Sequence, residues 1–178
     1  TRLLSSAASD VYKRQPGAPF WSENSSGVYF NVREFGQSNV YYANLSGQIS
    51  KVSQGNHMLT MNDLVGNNAV ATWTNPSNPS DIVSFSVKKF NKIDRLTDVN
   101  NDIFYNVEFG KVEEINYESV DGKIVQGWIV KPPQFDSKKK YPLVLRIHGG
   151  PHSMYNVGFN YNFQLHAAQD QVVLYTNP

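Results

Sequence analysis

A repeated pattern of short strands between Pro16 and Val99 is the feature that most limits how this chain can fold. Gly27–Val32 and Asn39–Leu45 are rich in β-forming residues, and turn-forming residues lie between them. Matching segments follow about 41 to 44 residues later along the chain: NNAVATW, SDIVSFSV and IDRLTD. A repeat of about 40 to 45 residues with four short strands per unit is typical of β-propeller blades.

Two such blades cannot close a ring, because each would leave sheet edges without neighbours. We therefore predict that residues 16–102 are the last two blades of a β-propeller and that further blades precede them. An all-β sandwich is the alternative that the strand pattern leaves open.

The two ends of the chain do not fit a finished domain. Residues 1–15 have no initiator methionine and too few consecutive apolar residues for a signal peptide, so we interpret them as a non-native or disordered leader. Val172–Tyr175 has the pattern of a buried strand, and no helix follows to cover it. We expect the chain to be a fragment of a longer protein.

A different pattern begins near Ile103, and its order of hairpin, strand, helix and strand predicts that residues 103–178 are the opening of an α/β sheet. Val112–Ser119 and Lys123–Val130 alternate apolar and polar residues on either side of Asp121 and Gly122. Both turn residues tolerate positive φ, so this segment predicts an antiparallel hairpin.

A strand, a helix and a second strand follow the hairpin. Leu143–Ile147 is a nearly continuous apolar run that predicts a buried strand, and Val172–Tyr175 predicts another. Between them, four residues fall near one face of a helix: Phe159, Phe163, His166 and Ala167. Because a helix of suitable length joins the two strands, we predict that they are parallel and adjacent.

Composition excludes several classes of partner. Sixteen basic and fifteen acidic residues leave a net charge of +1, which argues against nucleic acid and against an anionic membrane surface. No apolar run is long enough to cross a bilayer. The chain has no cysteine, which excludes disulfides but fits a cytoplasmic, a periplasmic or a secreted protein equally well, so the compartment stays unassigned.

A glycine loop follows the strand Leu143–Ile147 and carries the candidate site. At the carboxyl end of a strand that leads into a helix, Gly149 and Gly150 allow the backbone to approach a ligand and to point N–H groups at it. Such donors can hold an oxyanion, and Pro151 removes one N–H, so the two glycines are the candidate donors. The alternative is that the glycines only permit a tight turn.

The remaining histidines and carboxylates do not form a second site in the sequence. His57, His152 and His166 are scattered without the spacing of metal ligands, so we expect no metal and no cofactor. Ser153 adjoins His152, but adjacency along the chain does not create a nucleophile and its base. Three carboxylates alternate along a predicted exposed strand: Glu113, Glu114 and Glu118.

From Trp21 to Pro178 the chain resembles the prolyl oligopeptidase family of serine peptidases, especially its acylaminoacyl-peptidase and dipeptidyl-peptidase-like branch. The matching segments are FWSENSSGVYF, IDRLTDVN, YESVDGKIVQGWIVKPPQFDSKKKYPLVLRIHGGPH and FQLHAAQDQVVLYTNP. The resemblance implies a propeller that filters substrates and an α/β-hydrolase peptidase domain, of which residues 103–178 are the N-terminal part. It also implies a Ser-Asp-His triad that cleaves short peptides. It leaves open a homo-oligomer of the full-length protein.

The resemblance also implies where the catalytic groups lie. The chain contains no G-x-S-x-G motif, so the catalytic serine, aspartate and histidine are expected beyond Pro178, and this fragment is expected to be inactive alone. By resemblance Gly150 contributes an oxyanion N–H and Gly149 shapes the approach. His148 stands where some branches of the family place an oxyanion-binding tyrosine. Its ring is either a donor or a local hydrogen-bonding group that fixes the loop.

Two other functions remain compatible with these residues. An α/β-hydrolase esterase shares the glycine loop but normally has no blades. A propeller interaction module with a non-catalytic hydrolase-like tail would have the same sequence pattern as far as Pro178.

Overall fold

A computed structural model describes residues 15–16, 18–149 and 153–177. The chain forms two compact units. The first holds the residues up to Val99 together with Asn156–Gly158, and the second holds Asn100–Tyr155 and the residues from Phe159 onward. The sequence places a boundary after residue 102. The assignment of the two parts to a propeller and a hydrolase domain stays a prediction.

The first unit is a nine-stranded sheet. Its strands are β1 Gln15–Pro16, β2 Phe20–Trp21, β3 Gly27–Glu34, β4 Gln37–Asn44, β5 Ile49–Lys51, β6 Met58–Val65, β7 Asn68–Asn75, β8 Asn78–Ser86 and β9 Asp94–Arg95. Strands β2 to β5 pair antiparallel in sequence order, and so do β6 to β9, so the two predicted meander units are both present. Strand β3 begins at Gly27 and β7 at Asn68, 41 residues later, as the repeat requires.

The two meanders meet through one parallel pair, Ser38 of β4 and Met58 of β6. No closed sheet forms among the described residues of this unit, so the propeller stays a prediction. The predicted leader lies outside the described residues except at Gln15, which pairs with Arg33 of β3.

Alternating apolar residues give the first unit its core. The buried members of this cluster are Tyr29, Val40, Leu59, Met61, Ala69, Ala71, Val83, Phe85 and Val87. A buried amide links the two meanders where their strands do not pair. The Asn31 side chain donates to the Leu59 carbonyl oxygen at 2.6 Å and accepts from the Met61 N–H at 2.8 Å.

A buried carboxylate holds the last strand of the first unit. Asp81 on β8 accepts hydrogen bonds from the Thr97 hydroxyl at 2.7 Å and from the Val99 N–H at 3.3 Å, and it pairs with the Arg95 guanidinium. Burial alone would raise the pKa of Asp81, but the bonds from Thr97, Arg95 and Val99 outweigh it and lower that pKa. Asp81 is therefore ionised and fully partnered.

In the part of the second unit that the structure describes, a four-stranded sheet is accompanied by two helices. Its elements are α1 Asn101–Phe104, β10 Lys111–Glu118, β11 Ile124–Lys131, β12 Leu143–Arg146, α2 Tyr161–Ala168 and β13 Val172–Asn177. The sheet order is β10-β11-β13-β12. Strands β12 and β13 are parallel neighbours, which confirms the prediction from the helix that joins them. Within the described residues, no helix combines the length and the apolar character needed to cross a lipid bilayer.

The predicted hairpin is present as the antiparallel pair β10 and β11, but its turn differs from the prediction. Of the two turn residues, only Gly122 has a positive φ, of +79°. The Gly122 N–H donates to the Ser119 carbonyl oxygen and the Ser119 N–H to the Lys123 carbonyl oxygen, so the turn spans Ser119 to Gly122. Asp121 therefore sits in an ordinary turn position, and the left-handed residue is the glycine alone.

The prediction that Leu143–Ile147 is a buried strand is wrong in this structure. Strand β12 ends at Arg146 and lies at the edge of the sheet, where β13 is its only partner among the described residues. Leu143 is 62% and Leu145 55% exposed. Burial of its side chains requires other elements to cover the faces of the sheet, and the apolar pattern cannot show whether they do.

The predicted helix is confirmed with a shifted start. Phe163 and Ala167 are buried on α2, and Phe159 precedes the helix. The helix begins after Asn160, whose side chain accepts a hydrogen bond from the Phe163 N–H at 3.1 Å. This side chain satisfies an N–H of the first turn, so the cap sets the start of the helix.

Candidate functional site

The glycine loop leaves the carboxyl end of β12, as the sequence predicts. The structure describes His148 and Gly149 of this loop, whereas Gly150, Pro151 and His152 lie outside the described residues. Gly149 is exposed, and among the described residues no atom lies within 4 Å of a Cβ added to it. Packing against the described residues therefore does not require glycine at this position, and they leave space beside its backbone.

His148 contacts its own loop. Its ring Nδ1 lies 3.0 Å from the Gly149 carbonyl oxygen. A carbonyl oxygen only accepts, so Nδ1 carries the proton in this contact, and Nε2 of the neutral ring is then an acceptor. An acceptor cannot stabilise an oxyanion, so this geometry favours a loop-fixing ring over a donor unless the imidazole is charged.

Tyr155 lies where the chain returns from the loop and contacts His148. The two rings meet edge to face, with centroids 5.4 Å apart and planes at 72°. Tyr155 also packs against Tyr175 at 5.2 Å and against Phe163 at 6.0 Å. The His148 ring therefore rests on an aromatic group that is itself held by β13 and α2.

Asn177 at the end of β13 holds the backbone of Tyr155. Its side-chain oxygen accepts from the Tyr155 N–H at 2.8 Å, and its side-chain nitrogen donates to the Tyr155 carbonyl oxygen at 3.0 Å. Asn177 is only 5% exposed. Because Tyr155 belongs to no strand, this amide supplies the two bonds that a neighbouring strand would give.

A stacked pair of aromatic rings within the sheet packs against the aromatic residues of the site. Trp128 on β11 stacks on Tyr175 on β13, with ring centroids 5.2 Å apart and planes at 20°. The two strands approach closely here, because a Cβ added to Gly127 would lie 2.8 Å from Thr176 Cγ2. Burial raises the pKa of the Tyr175 hydroxyl, so it stays protonated and cannot act as a base near neutral pH.

Arg146 places a positive charge at the end of β12, next to the loop. Its guanidinium carbon lies 5.9 Å from the centre of the Phe163 ring. The planar cation packs over the aromatic face, which fixes its side chain beside the same aromatic cluster.

His57 and His166, the other histidines that the structure describes, take no part in this arrangement. His57 is a buried residue of the first unit, and burial and then Lys51 lower its pKa, so it stays neutral. His166 on α2 contacts Gln171, with Nδ1 2.8 Å from Oε1. Among the described residues, no three His, Asp or Glu side chains gather as a metal site.

Sequence reasoning did not identify two amide side chains that shape the second unit. Asn177 is one, and Gln164 on α2 is the other. The Gln164 side chain accepts from the Gly110 N–H at 2.7 Å and donates to the Gly110 carbonyl oxygen at 3.1 Å. In the sequence, each of the two is a polar residue within an otherwise apolar pattern, Asn177 at the end of β13 and Gln164 on the buried face of α2. A polar residue in such a pattern was the signal that could have identified them.

Comparison with known proteins finds peptidases. No family model matches the chain. The chain is 32% identical over 162 residues to an uncharacterized peptidase, YuxL, of Bacillus subtilis, which covers 90% of this chain and 24% of that protein. It is 28% identical over 172 residues to dipeptidyl-peptidase 5 of Porphyromonas gingivalis, over 88% of this chain and 23% of that protein.

Solved structures give the same result. The acylaminoacyl peptidase of Pyrococcus horikoshii superposes with a TM-score of 0.76 at 25% identity, over 93% of this chain and 25% of that chain. An acylaminoacyl peptidase in complex with Z-Gly-Gly-Phe-chloromethyl ketone superposes with a TM-score of 0.77, also at 25% identity and over the same shares. The chain spans about a quarter of the length of these relatives, and its resemblance to peptidases of the prolyl oligopeptidase family is confirmed.

Proposed function

We propose that this chain, whose relatives are peptidases of the prolyl oligopeptidase family, is part of a serine peptidase that hydrolyses short peptides. The activity is of the oligopeptidase, dipeptidyl-peptidase or acylaminoacyl-peptidase type. The observation that carries the proposal is the match over nine-tenths of the chain to a peptidase, together with a glycine loop at the carboxyl end of a parallel strand. A peptide-like chloromethyl ketone bound to one structural neighbour supports peptide substrates.

The catalytic serine, aspartate and histidine are proposed to lie in the part of the longer protein that follows Pro178. Two facts support this placement. The chain spans about a quarter of the length of its peptidase relatives, and it contains no G-x-S-x-G motif. In an α/β-hydrolase the nucleophile stands at such a motif, on a sharp turn between a strand and a helix. The residues before Val99 are proposed to be blades of a propeller.

The role proposed for the loop is to stabilise negative charge. When a serine attacks a peptide carbonyl, charge develops on the carbonyl oxygen, and fixed N–H donors lower the energy of that state. Gly150 supplies the donor and Gly149 keeps the approach open. The His148 ring, bonded to the Gly149 carbonyl oxygen, holds the loop in shape.

A fluorophosphonate probe, which reacts covalently with an activated serine, tests this function. The 178-residue chain is expected to stay unlabelled, because an oxyanion site without a nucleophile and base cannot attack a carbonyl. The full-length protein is expected to be labelled at a serine within a G-x-S-x-G motif. Labelling of Ser153 in the chain would contradict the assignment. An unlabelled full-length protein would instead favour the non-catalytic interaction module.

A further inference from the structure

The Asn177 side chain binds both backbone polar groups of one residue beyond the glycine loop, and we call this pair of bonds the clamp. Both of its polar atoms are used, and both are used on Tyr155: one bond to the N–H at 2.8 Å and one to the carbonyl oxygen at 3.0 Å. The side chain is 5% exposed, so water does not compete strongly for either bond. The clamp joins residues that are 22 positions apart in the sequence.

The clamp reaches the loop through a ring contact. The backbone of Tyr155 fixes the origin of its side chain, and the Tyr155 ring meets the His148 ring at 5.4 Å. His148 in turn contacts the Gly149 carbonyl oxygen. A shift of the Tyr155 ring therefore changes the contact surface of the His148 ring. The position of the His148 ring changes with it, and so does its hydrogen bond to the loop.

We propose that Asn177 is a positioning residue for the reaction, which holds Tyr155 and thereby His148 in the place that the glycine loop needs. This inference rests on the proposed function and adds to it a residue at the end of β13. It does not require Asn177 to touch the substrate.

Asn177→Ala in the full-length protein tests the proposal by two measurements. Hydrogen exchange followed by mass spectrometry is expected to show faster exchange in peptides that contain Tyr155, because the bond to its N–H is lost. The kcat for a short peptide substrate is expected to fall by about 10- to 100-fold with little change in KM, because a small misplacement affects the transition state most.

Gln164→Ala is the matched control. Gln164 makes the same pair of bonds to the backbone of Gly110, is also buried, and belongs to the same unit. Its removal is expected to speed exchange around Gly110 while kcat stays within about twofold of wild type. An equal loss of kcat in both variants would show that general loosening of the unit is responsible, and would overturn the proposal.

Asn177→Asp separates positioning from packing, because the two side chains have nearly the same shape. An ionised carboxylate accepts from the Tyr155 N–H but faces the Tyr155 carbonyl oxygen with no donor, whereas the protonated acid can make both bonds. Burial favours the protonated form, so the kcat of Asn177→Asp relative to that of Asn177→Ala is expected to rise as the pH falls from 8 to 6. The residue opposite position 177 on β11 is the uncharged Gln126, and any pH dependence of His148, Tyr155 or Tyr175 is common to both variants. A flat ratio would contradict the clamp.

The proposed function and this inference fail in different ways. If the probe does not label the wild-type full-length protein, the function is wrong and the inference falls with it. If the wild type is labelled but Asn177→Ala keeps its full kcat, or exchange at Tyr155 is unchanged, only the role of Asn177 is wrong.

Discussion

The two sheets of this chain end at edges of opposite character. In the first unit the sheet ends at β9, a strand of two residues, and the buried Asp81 beside it binds Arg95, Thr97 and Val99. In the second unit the sheet ends at β12, which leaves the apolar side chains of Leu143 and Leu145 largely exposed.

The difference predicts which property a substitution near each edge changes. A carboxylate with every bond satisfied closes the first edge with groups from nearby in the sequence, so that edge serves stability. The second edge leads directly into the glycine loop, so that edge is proposed to serve chemistry. Changes at the first edge should therefore alter the free energy of unfolding, and changes beyond the second should alter kcat.

The largest expected effect is at the loop that follows β12. Gly150→Pro removes the proposed oxyanion N–H, so kcat of the full-length protein is expected to fall about 100- to 1000-fold, or roughly 3 to 4 kcal/mol, with a smaller change in KM. Steady-state kinetics with a short peptide substrate measures both. A thermal melt of the variant checks that it is folded, and an unchanged kcat in a folded variant would contradict the role of Gly150.

The next effect is at the opposite edge. Asp81→Ala leaves the Thr97 hydroxyl, the Val99 N–H and the Arg95 guanidinium without their acceptor, and is expected to cost about 2 to 4 kcal/mol of local stability. Hydrogen exchange of peptides from β7 to β9 in the full-length protein measures this. Asp94→Ala is the control, because its ion pair with Lys92 is exposed and its loss is expected to cost less than about 1 kcal/mol. Equal losses of stability in the two variants would show that the buried bonds of Asp81 do not stabilise this edge more than an exposed ion pair does.

Acid should weaken the first edge through the same carboxylate. The pKa of Asp81 in the folded protein is lowered from 3.8, so its stabilising contribution is present above about pH 4 and is lost as the pH falls through the folded pKa. The difference in exchange between wild type and Asp81→Ala is expected to shrink below pH 4. A difference that stays constant down to pH 2.5 would mean that ionised Asp81 is not what holds the strand.

The smallest effect on stability is expected on the face of β12. Leu145→Lys replaces an exposed apolar side chain, so the stability of the 178-residue chain is expected to change by no more than about 0.5 kcal/mol. Self-association is expected to decrease, because a charge on an edge strand opposes pairing with other copies. Sedimentation velocity measures it at matched concentrations. An unchanged sedimentation profile would show that the apolar edge does not drive association.

Local patterns predicted most of the architecture. The period of two along β10 and β11, and the helix between β12 and β13, depend on neighbours in the sequence, and the pairings that they predict are present. The strand repeat predicted both meanders for the same reason. The exposure of Leu145 was not predictable, because the burial of a strand depends on what lies beside it in space.

The site was less accessible to sequence reasoning. The glycines after β12 drew attention through their residue types, and the structure describes Gly149 among them. The bonds of Asn177 to Tyr155, of Gln164 to Gly110 and of Asn31 to the Leu59 carbonyl oxygen follow no local period. Each joins a side chain to a distant backbone, and only the folded chain brings the two together.

The stack of Trp128 on Tyr175 gives the second unit an optical reporter of its own. Trp128 is buried there, whereas Trp21 in the first unit is 62% exposed and Trp73 is half-buried. Indole emission shifts to longer wavelength when the ring becomes solvated. We therefore expect Trp128 to emit at shorter wavelength than an exposed tryptophan while the sheet is intact. Replacing Trp21 and Trp73 with phenylalanine would leave Trp128 as the one tryptophan of the chain. Its emission spectrum and its quenching would then report on the strands that carry the site, without a label or a substrate.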